Sequence, residues 1–212
     1  MSDTYFYDTA TGHDLQRDPL KAIIAPRPIG WISSLSPEGT ANLAPYSFFN
    51  MFYENPAIIG FSSMTYKDSV RNIEATGEFA FNLATRPLAE AVNISSYPFP
   101  PDVDEFDHAG IAKAPCRLIR PPRVAASPVT MECRLSQLIR LTNAAGDPLD
   151  GWMVLGEVVA VHIDRSLLVD DRFDTGAAQI IMRAGYAADY WEIGADGLFK
   201  MQRPRDLHAT PR

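Results

Sequence analysis

A chain of 212 residues with 46% apolar, 10% aromatic and 21% charged side chains suits one packed domain, and it excludes wholesale disorder and a small disulfide scaffold. Lys and Arg total 19 against 26 acids, a net charge of −7 that argues against a phosphate-backbone footprint, so nucleic acid is not an expected partner. Cys116 and Cys133 form neither a C-x-x-C pair nor a zinc-like spacing with the four histidines, which points to reduced thiols and a cytoplasmic setting. No apolar run approaches the ~20 residues of a spanning helix, and residues 1–15 lack a signal-peptide core, so neither membrane insertion nor export is expected.

Residues 1–18 mix Asp, Thr, Tyr and Gly without steady periodicity and read as an N-terminal arm. Ala22 to Leu35 and Thr40 to Ser47 flank the turn sequence Ser36-Pro37-Glu38-Gly39, the pattern of a hairpin. Pro26, Pro28 and Pro45 donate nothing to a ladder, so they belong at edges, bulges or strand ends, where a ligand can approach backbone. Ala57 to Phe61 reads as a buried strand ending in Ser62-Ser63. A helix follows, with Asp68 or Ser69 as its cap, Val70, Ile73 and Ala75 facing inward, and Gly77 as its stop before the strand Phe79 to Leu83.

Leu88 to Ile94 suggests a second short helix, and Tyr97 to Pro101, with three prolines in five residues, must be irregular and suits a loop or lid. Val129, Met131, Cys133 and Leu135 alternate with Thr130, Glu132, Arg134 and Ser136, the period of a half-buried strand. Trp152 to Ile163 is more continuously apolar, and the segment beginning at Asn143 joins the two as a long hairpin. At least six strands with only short helices predict a mainly β fold, an antiparallel barrel with helical decorations. The last dozen residues read as a loose tail.

Common phosphate-loop, dinucleotide, zinc-protease and nucleophile-elbow signatures are absent from the sequence. The acidic stretch Asp102, Asp104, Glu105, Asp107 and His108 lacks the glycine and spacing of a calcium loop and reads as solvated. Two segments carry more. In Met64 to Ser69 an ammonium and hydroxyls meet the free N–H groups of a helix start, a combination suited to phosphate, with ordinary capping beside an exposed lysine as the alternative. Asn42 to Ser47 offers an amide, a hydroxyl, an aromatic face and a proline-interrupted backbone, suited either to a planar heterocycle or simply to a strand end packed on the core.

Three ordered motifs, Arg27-Pro-Ile-Gly-Trp-Ile-Ser33, Asn42-Leu-Ala-Pro-Tyr-Ser-Phe-Phe-Asn50 and Lys67-Asp-Ser-Val-Arg-Asn-Ile-Glu-Ala-Thr-Gly-Glu-Phe79, resemble the flavin reductase-like, FMN-binding split-barrel family, including its flavoredoxin-type members. The likeness continues through Val103 to Phe106, Pro121 to Ala125, Ser127 to Val129 and Gly156 to His162. It implies a Greek-key split β-barrel over residues 19–175 followed by a C-terminal extension, 176–212, with a homodimer holding FMN near the subunit interface. By the same resemblance, Asn42, Leu43, Ala44, Pro45, Tyr46 and Ser47 line the isoalloxazine and ribityl chain. Ser62, Ser63, Lys67, Asp68 and Ser69 hold the phosphate, Trp31, Ser33 and Ser34 lie beside the ring, and His162 comes near the cofactor or serves as a core or interface histidine.

The implied activity is NAD(P)H:flavin oxidoreduction or flavoredoxin-like electron carriage, with hydride passing from NADH or NADPH to flavin N5 and backbone donors of residues 44–47 receiving the resulting charge. No side-chain nucleophile is expected. A monooxygenase component or another redox protein is the expected acceptor. Arg117, Arg120 and Arg123 either steer dinucleotide phosphates or form a solvated or interfacial stretch. Alternatives are a pyridoxamine-phosphate oxidase-like enzyme, whose second phosphate pocket is not visible in the sequence, and a non-catalytic flavin-binding or oligomeric interaction module.

Overall fold

The computed structural model describes residues 3–202. The helix α1 (Leu20–Ile23) precedes the strands β1 (Arg27–Pro28), β2 (Gly30–Leu35), β3 (Ala41–Tyr46), β4 (Phe49–Glu54) and β5 (Ala57–Ser63). Next come α2 (Asp68–Thr76), β6 (Glu78–Leu83), α3 (Ala89–Ile94), α4 (Glu105–His108), β7 (Lys113–Ala114) and β8 (Arg123–Val124). The long hairpin β9 (Val129–Thr142) and β10 (Pro148–Ile163) follows, then the short β11 (Leu168–Val169), β12 (Arg172–Phe173), β13 (Ile181–Arg183) and β14 (Tyr190–Glu192).

Seven strands form one sheet in the order β3-β2-β6-β9-β10-β5-β4, every pairing antiparallel. The sheet curls on itself, because Tyr46 of β3 reaches Phe61 of β5 with ring centroids 4.3 Å apart although four strands separate them in the ladder. Ile32, Phe61, Phe79, Cys133 and Val154 fill the interior, closed at one side by Val70 and Ile73 of α2. A second core, with Trp31, Leu43, Val92, Phe106 and Ile181, lies on the other face of β2 and β3. With cores on both sides, β2 is buried almost throughout, which explains its near-continuous apolar and small-residue pattern.

The hairpin of β2 and β3 turns where expected, with Gly39 at φ 96°, and α2 stops at Gly77 in the left-handed region at φ 74°. Ala75 faces solvent and Asn72 takes the inward position, donating from Nδ2 to Ser34 Oγ at 3.3 Å. Strand β4 has no counterpart in the sequence reading. The strict alternation expected of β9 also fails at its start, where Thr130 and Glu132 are buried as fully as their apolar neighbours because that half of the strand is covered on both faces. Glu132 accepts the N–H groups of Arg117 and Leu118, each at 2.7 Å.

The acidic stretch is exposed at Asp102, Asp107 and His108, and its remaining carboxylates are drawn into the fold. Asp104 caps α4 through the Phe106 N–H and, with Asp107, ion-pairs Lys113, while Glu105 is buried. Both cysteines are free, as expected, and burial pushes the Cys116 thiol up to about 12. Beyond residue 175 the chain returns to the fold, because β13 lies between β1 and β14 in a three-stranded sheet. Most of the expected C-terminal tail falls outside the described residues. No helix among the described residues is long and apolar enough to cross a membrane.

Close packing at β10 supplies a test of this core. A Cβ at Gly156 would stand 2.3 Å from Cε1 and 2.5 Å from Cζ of the fully buried Phe79. Gly156→Ala is expected to destabilise the protein by about 1–3 kcal/mol through overpacking, measured by urea unfolding.

Candidate flavin site

The start of α2 is chemically open. Lys67 stands at the N-cap position with extended backbone (φ −84°, ψ 175°), and no side chain caps the helix. Asp68, expected to cap, is instead paired with Arg71 at 2.6 Å, and Ser69 is engaged elsewhere. First-turn N–H groups without a side-chain acceptor, together with a lysine that is exposed and forms no ion pair among the described residues, make a donor set for an anion.

Behind it runs a polar relay. Asn42 Nδ2 donates to Ser69 Oγ at 3.4 Å, and Tyr46 shares hydrogen bonds with both Ser69 and Ser63. Burial pushes the Tyr46 phenol up to about 12 despite those bonds, so it stays protonated at neutral pH. The relay ties β3 to the end of β5 and the first turn of α2. Ser63 also donates to the Thr65 carbonyl at 2.7 Å, which shapes the connection that presents Lys67.

These elements line a cleft of about 330 Å³, bounded on one side by Ala44, Pro45 and Tyr46 and on the other by the segment from Ser95 to Phe99. The proline-rich loop anticipated at Tyr97 to Pro101 is therefore part of the wall. A second hollow of about 330 Å³ adjoins it through the shared residues Pro45 and Ser96, and Ser47 lines this second space.

Strand β3 is a sheet edge, and its Leu43 N–H faces outward to Glu105 Oε2 at 2.9 Å. Burial raises the Glu105 carboxyl pKa even though that N–H favours its ionised form. Antiparallel alternation then turns the N–H groups of Ala44 and Tyr46 toward β2, and position 45 has none. Of the expected donors in residues 44–47, only the Ser47 N–H remains for a ligand at this edge.

Several expected site residues lie elsewhere. Trp31 is buried in the second core and donates from Nε1 to Ser95 Oγ at 2.9 Å, so it supports the cleft wall from behind. Ser33 Oγ donates to the Pro122 carbonyl at 2.6 Å, Ser34 accepts from Asn72, and the Leu43 side chain packs in the second core. Ser62 lies at the end of β5 with its N–H on the Phe48 carbonyl. His162 meets Glu132 at 2.5 Å and faces a separate polar cavity shared with Arg117, Arg123 and Arg165. Arg120 is paired with Glu78.

Besides Ser95 and Ser96, two charged cleft residues are not among those expected at the site. Arg71 stands one turn after Lys67, and the i, i+4 spacing on a helix is the available signal. Glu105 has no local signal, because its environment is made by β3, distant in sequence.

Comparison with known proteins matches this architecture. Residues 24–177 fit the family described as flavin reductase like domain. Nitrilotriacetate monooxygenase component B from Bacillus cereus superposes with a TM-score of 0.80 at 28% identity, covering 86% of this chain and 90% of that one. The 2-nitrobenzoate 2-nitroreductase of Pseudomonas fluorescens superposes at 0.78 with 26% identity, covering 91% and 92%. A split barrel domain from Shewanella frigidimarina, at 20% identity, a TM-score of 0.77 and coverage of 87% and 90%, shares the fold. The barrel with an open cleft at the start of α2 thus defines a split-barrel flavoprotein of the oxidoreductase class. The chain belongs to the flavin reductase-like family.

Proposed function

We propose that the protein is an FMN-dependent oxidoreductase that takes reducing equivalents from NADH or NADPH and passes them to a separate redox acceptor, acting as a cytoplasmic homodimer. The observation that carries the reading is the uncapped start of α2 with Lys67, unpaired among the described residues, lining the cleft. That donor set fits a terminal phosphate. Lys67 would supply a point charge, the first-turn N–H groups directed bonds, and Arg71 further charge behind its pair with Asp68.

Bound flavin supplies the two-electron chemistry, with a nicotinamide as its hydride source. This chain binds, orients and shields. Asn42 would present its amide at the cleft edge, Tyr46 would hold the relay in its neutral form, and the wall from Ser95 to Phe99 would limit water. Reduced cysteines are consistent with the cytoplasm. Dimer formation is supported by the edge strand β4, which exposes Met51, Phe52 and Tyr53 by 52%, 51% and 62%. The Bacillus neighbour, as a monooxygenase component, makes an oxygenase partner the acceptor to test first.

Anaerobic mixing of FMN-loaded protein with NADH and with NADPH tests the reading. Loss of the flavin's yellow absorbance with at least one donor is expected, and persistence with both would leave a binding module. Light scattering on the same sample is expected to give about twice the 23.4 kDa chain mass.

A further inference from the structure

An arginine of the hollow that adjoins the cleft, Arg183, and its cross-strand neighbour Arg27 have no role in the reading above. In the β1–β13 ladder Arg27 and Arg183 are direct cross-strand partners, so both side chains leave the same face of that three-stranded sheet. Like charges opposite one another are unfavourable, and neither arginine forms an ion pair among the described residues. Arg27 is only 6% exposed, and its buried Nε has no partner among the described residues. Its Nη1 donates to the carbonyls of Lys21 and Ile24, which solvate the guanidinium without neutralising it. Burial and the nearby Arg183 both lower the Arg27 pKa, the signature of a charge lacking a counter-ion. Neither cation is compensated among the described residues, in a chain of net charge −7.

Arg183 is half-buried and lines the second hollow together with Ser47 and Asn93. Its guanidinium is positioned by Nη2, which donates to the carbonyls of Tyr186 at 3.2 Å and Ala187 at 3.0 Å. It also lies 4.6 Å from the centroid of the Tyr190 ring, which lines the same hollow. The other guanidinium edge makes no hydrogen bond among the described residues. A fixed guanidinium next to an aromatic face suits a planar ring carrying an anionic group.

We propose that Arg183, backed by Arg27, is an anion seat that binds the carboxylate or phosphate of the planar molecule exchanging electrons at the cleft. The seat rests on the reading of the adjoining cleft as the flavin site, since the two spaces meet at Pro45 and Ser96. Arg183 lies on β13, outside the residues that match the family, 24–177, whereas Arg27 lies within them.

The test is calorimetric titration of wild-type protein, with and without FMN, using benzoate, AMP and neutral benzamide. Binding of at least one anion is expected, benzoate identifying a carboxylate seat and AMP a phosphate seat, while benzamide binds at least tenfold more weakly. Arg183→Gln is expected to weaken the anion about tenfold or more and leave FMN affinity within about twofold, a loss typical of one charge-assisted bond. Arg183→Lys is expected to recover part of the anion affinity, and FMN binding by each variant verifies its fold. Equal affinity for benzamide, no anion binding by wild type, or unchanged anion affinity in Arg183→Gln would overturn the seat. Anion binding by a protein that does not take up FMN would reject the flavin reading and leave the seat standing.

Discussion

Replacing Lys67 by alanine is expected to weaken FMN binding by about 10- to 100-fold while leaving riboflavin within about twofold, because only FMN carries the phosphate that the ammonium would meet. The range corresponds to a charge-assisted hydrogen bond of about 1.5–3 kcal/mol. Quenching of flavin fluorescence measures both affinities. Lys67 is exposed and has no ion pair among the described residues, so its removal leaves no buried group orphaned and the fold is expected to stay intact. The uncapped first turn of α2 would still contribute, which is why binding is reduced rather than abolished. Equal losses for the two flavins would remove Lys67 from the phosphate role. The loss should shrink in high salt, since an exposed charge is screened.

Glu132→Ala is expected to destabilise the protein by roughly 3–5 kcal/mol and to lower the thermal midpoint by roughly 10 °C. The carboxylate is fully buried and accepts two backbone N–H bonds, and it contacts His162 Nε2. Alanine would strand all three partners. Burial by itself would raise the Glu132 pKa, but the Arg117 N–H, His162 and the Leu118 N–H together hold it below its ordinary value of 4.5. A carboxyl depressed in the folded state adds stability that is complete above the unfolded pKa and is lost as the pH falls through the folded one. Wild-type protein is therefore expected to lose stability on acidification below about pH 4.5, and Glu132→Ala to show a flatter acid limb. Urea unfolding from pH 3 to 7 measures both. A variant matching wild type in midpoint and acid slope would show the network to be energetically idle. Because Glu132 lies away from the cleft, FMN affinity at low temperature should survive the change.

The two effects separate roles that the family motifs place together. Lys67 falls at a position expected to meet the cofactor and His162 at one expected either to meet it or to serve as a core or interface histidine; Lys67 stands at the cleft, and His162 faces a cavity lined by Arg117, Arg123 and Arg165. The basic side chains around His162 line that separate cavity, and the arginine that lines the hollow adjoining the cleft is Arg183, the cross-strand partner of Arg27.

What the sequence by itself determined was whatever depends on neighbours along the chain. The turn at Gly39, the helix from Asp68 to its left-handed stop at Gly77, the irregular proline loop and the long β9–β10 hairpin all follow from local backbone preference and periodicity. The three motifs carried the family in the same way. Only the tertiary structure decided which face of each strand meets which core. Trp31, Ser33 and Ser34 have the residue types of a binding strand, but cores on both sides of β2 draw them inside, where their polar atoms must find protein partners. Glu132 breaks the alternation of β9 for the same reason. Arg183 reaches the hollow beside the cleft because β13 pairs with β1 across about 155 residues of chain, a contact set by sheet assembly rather than by any local signal.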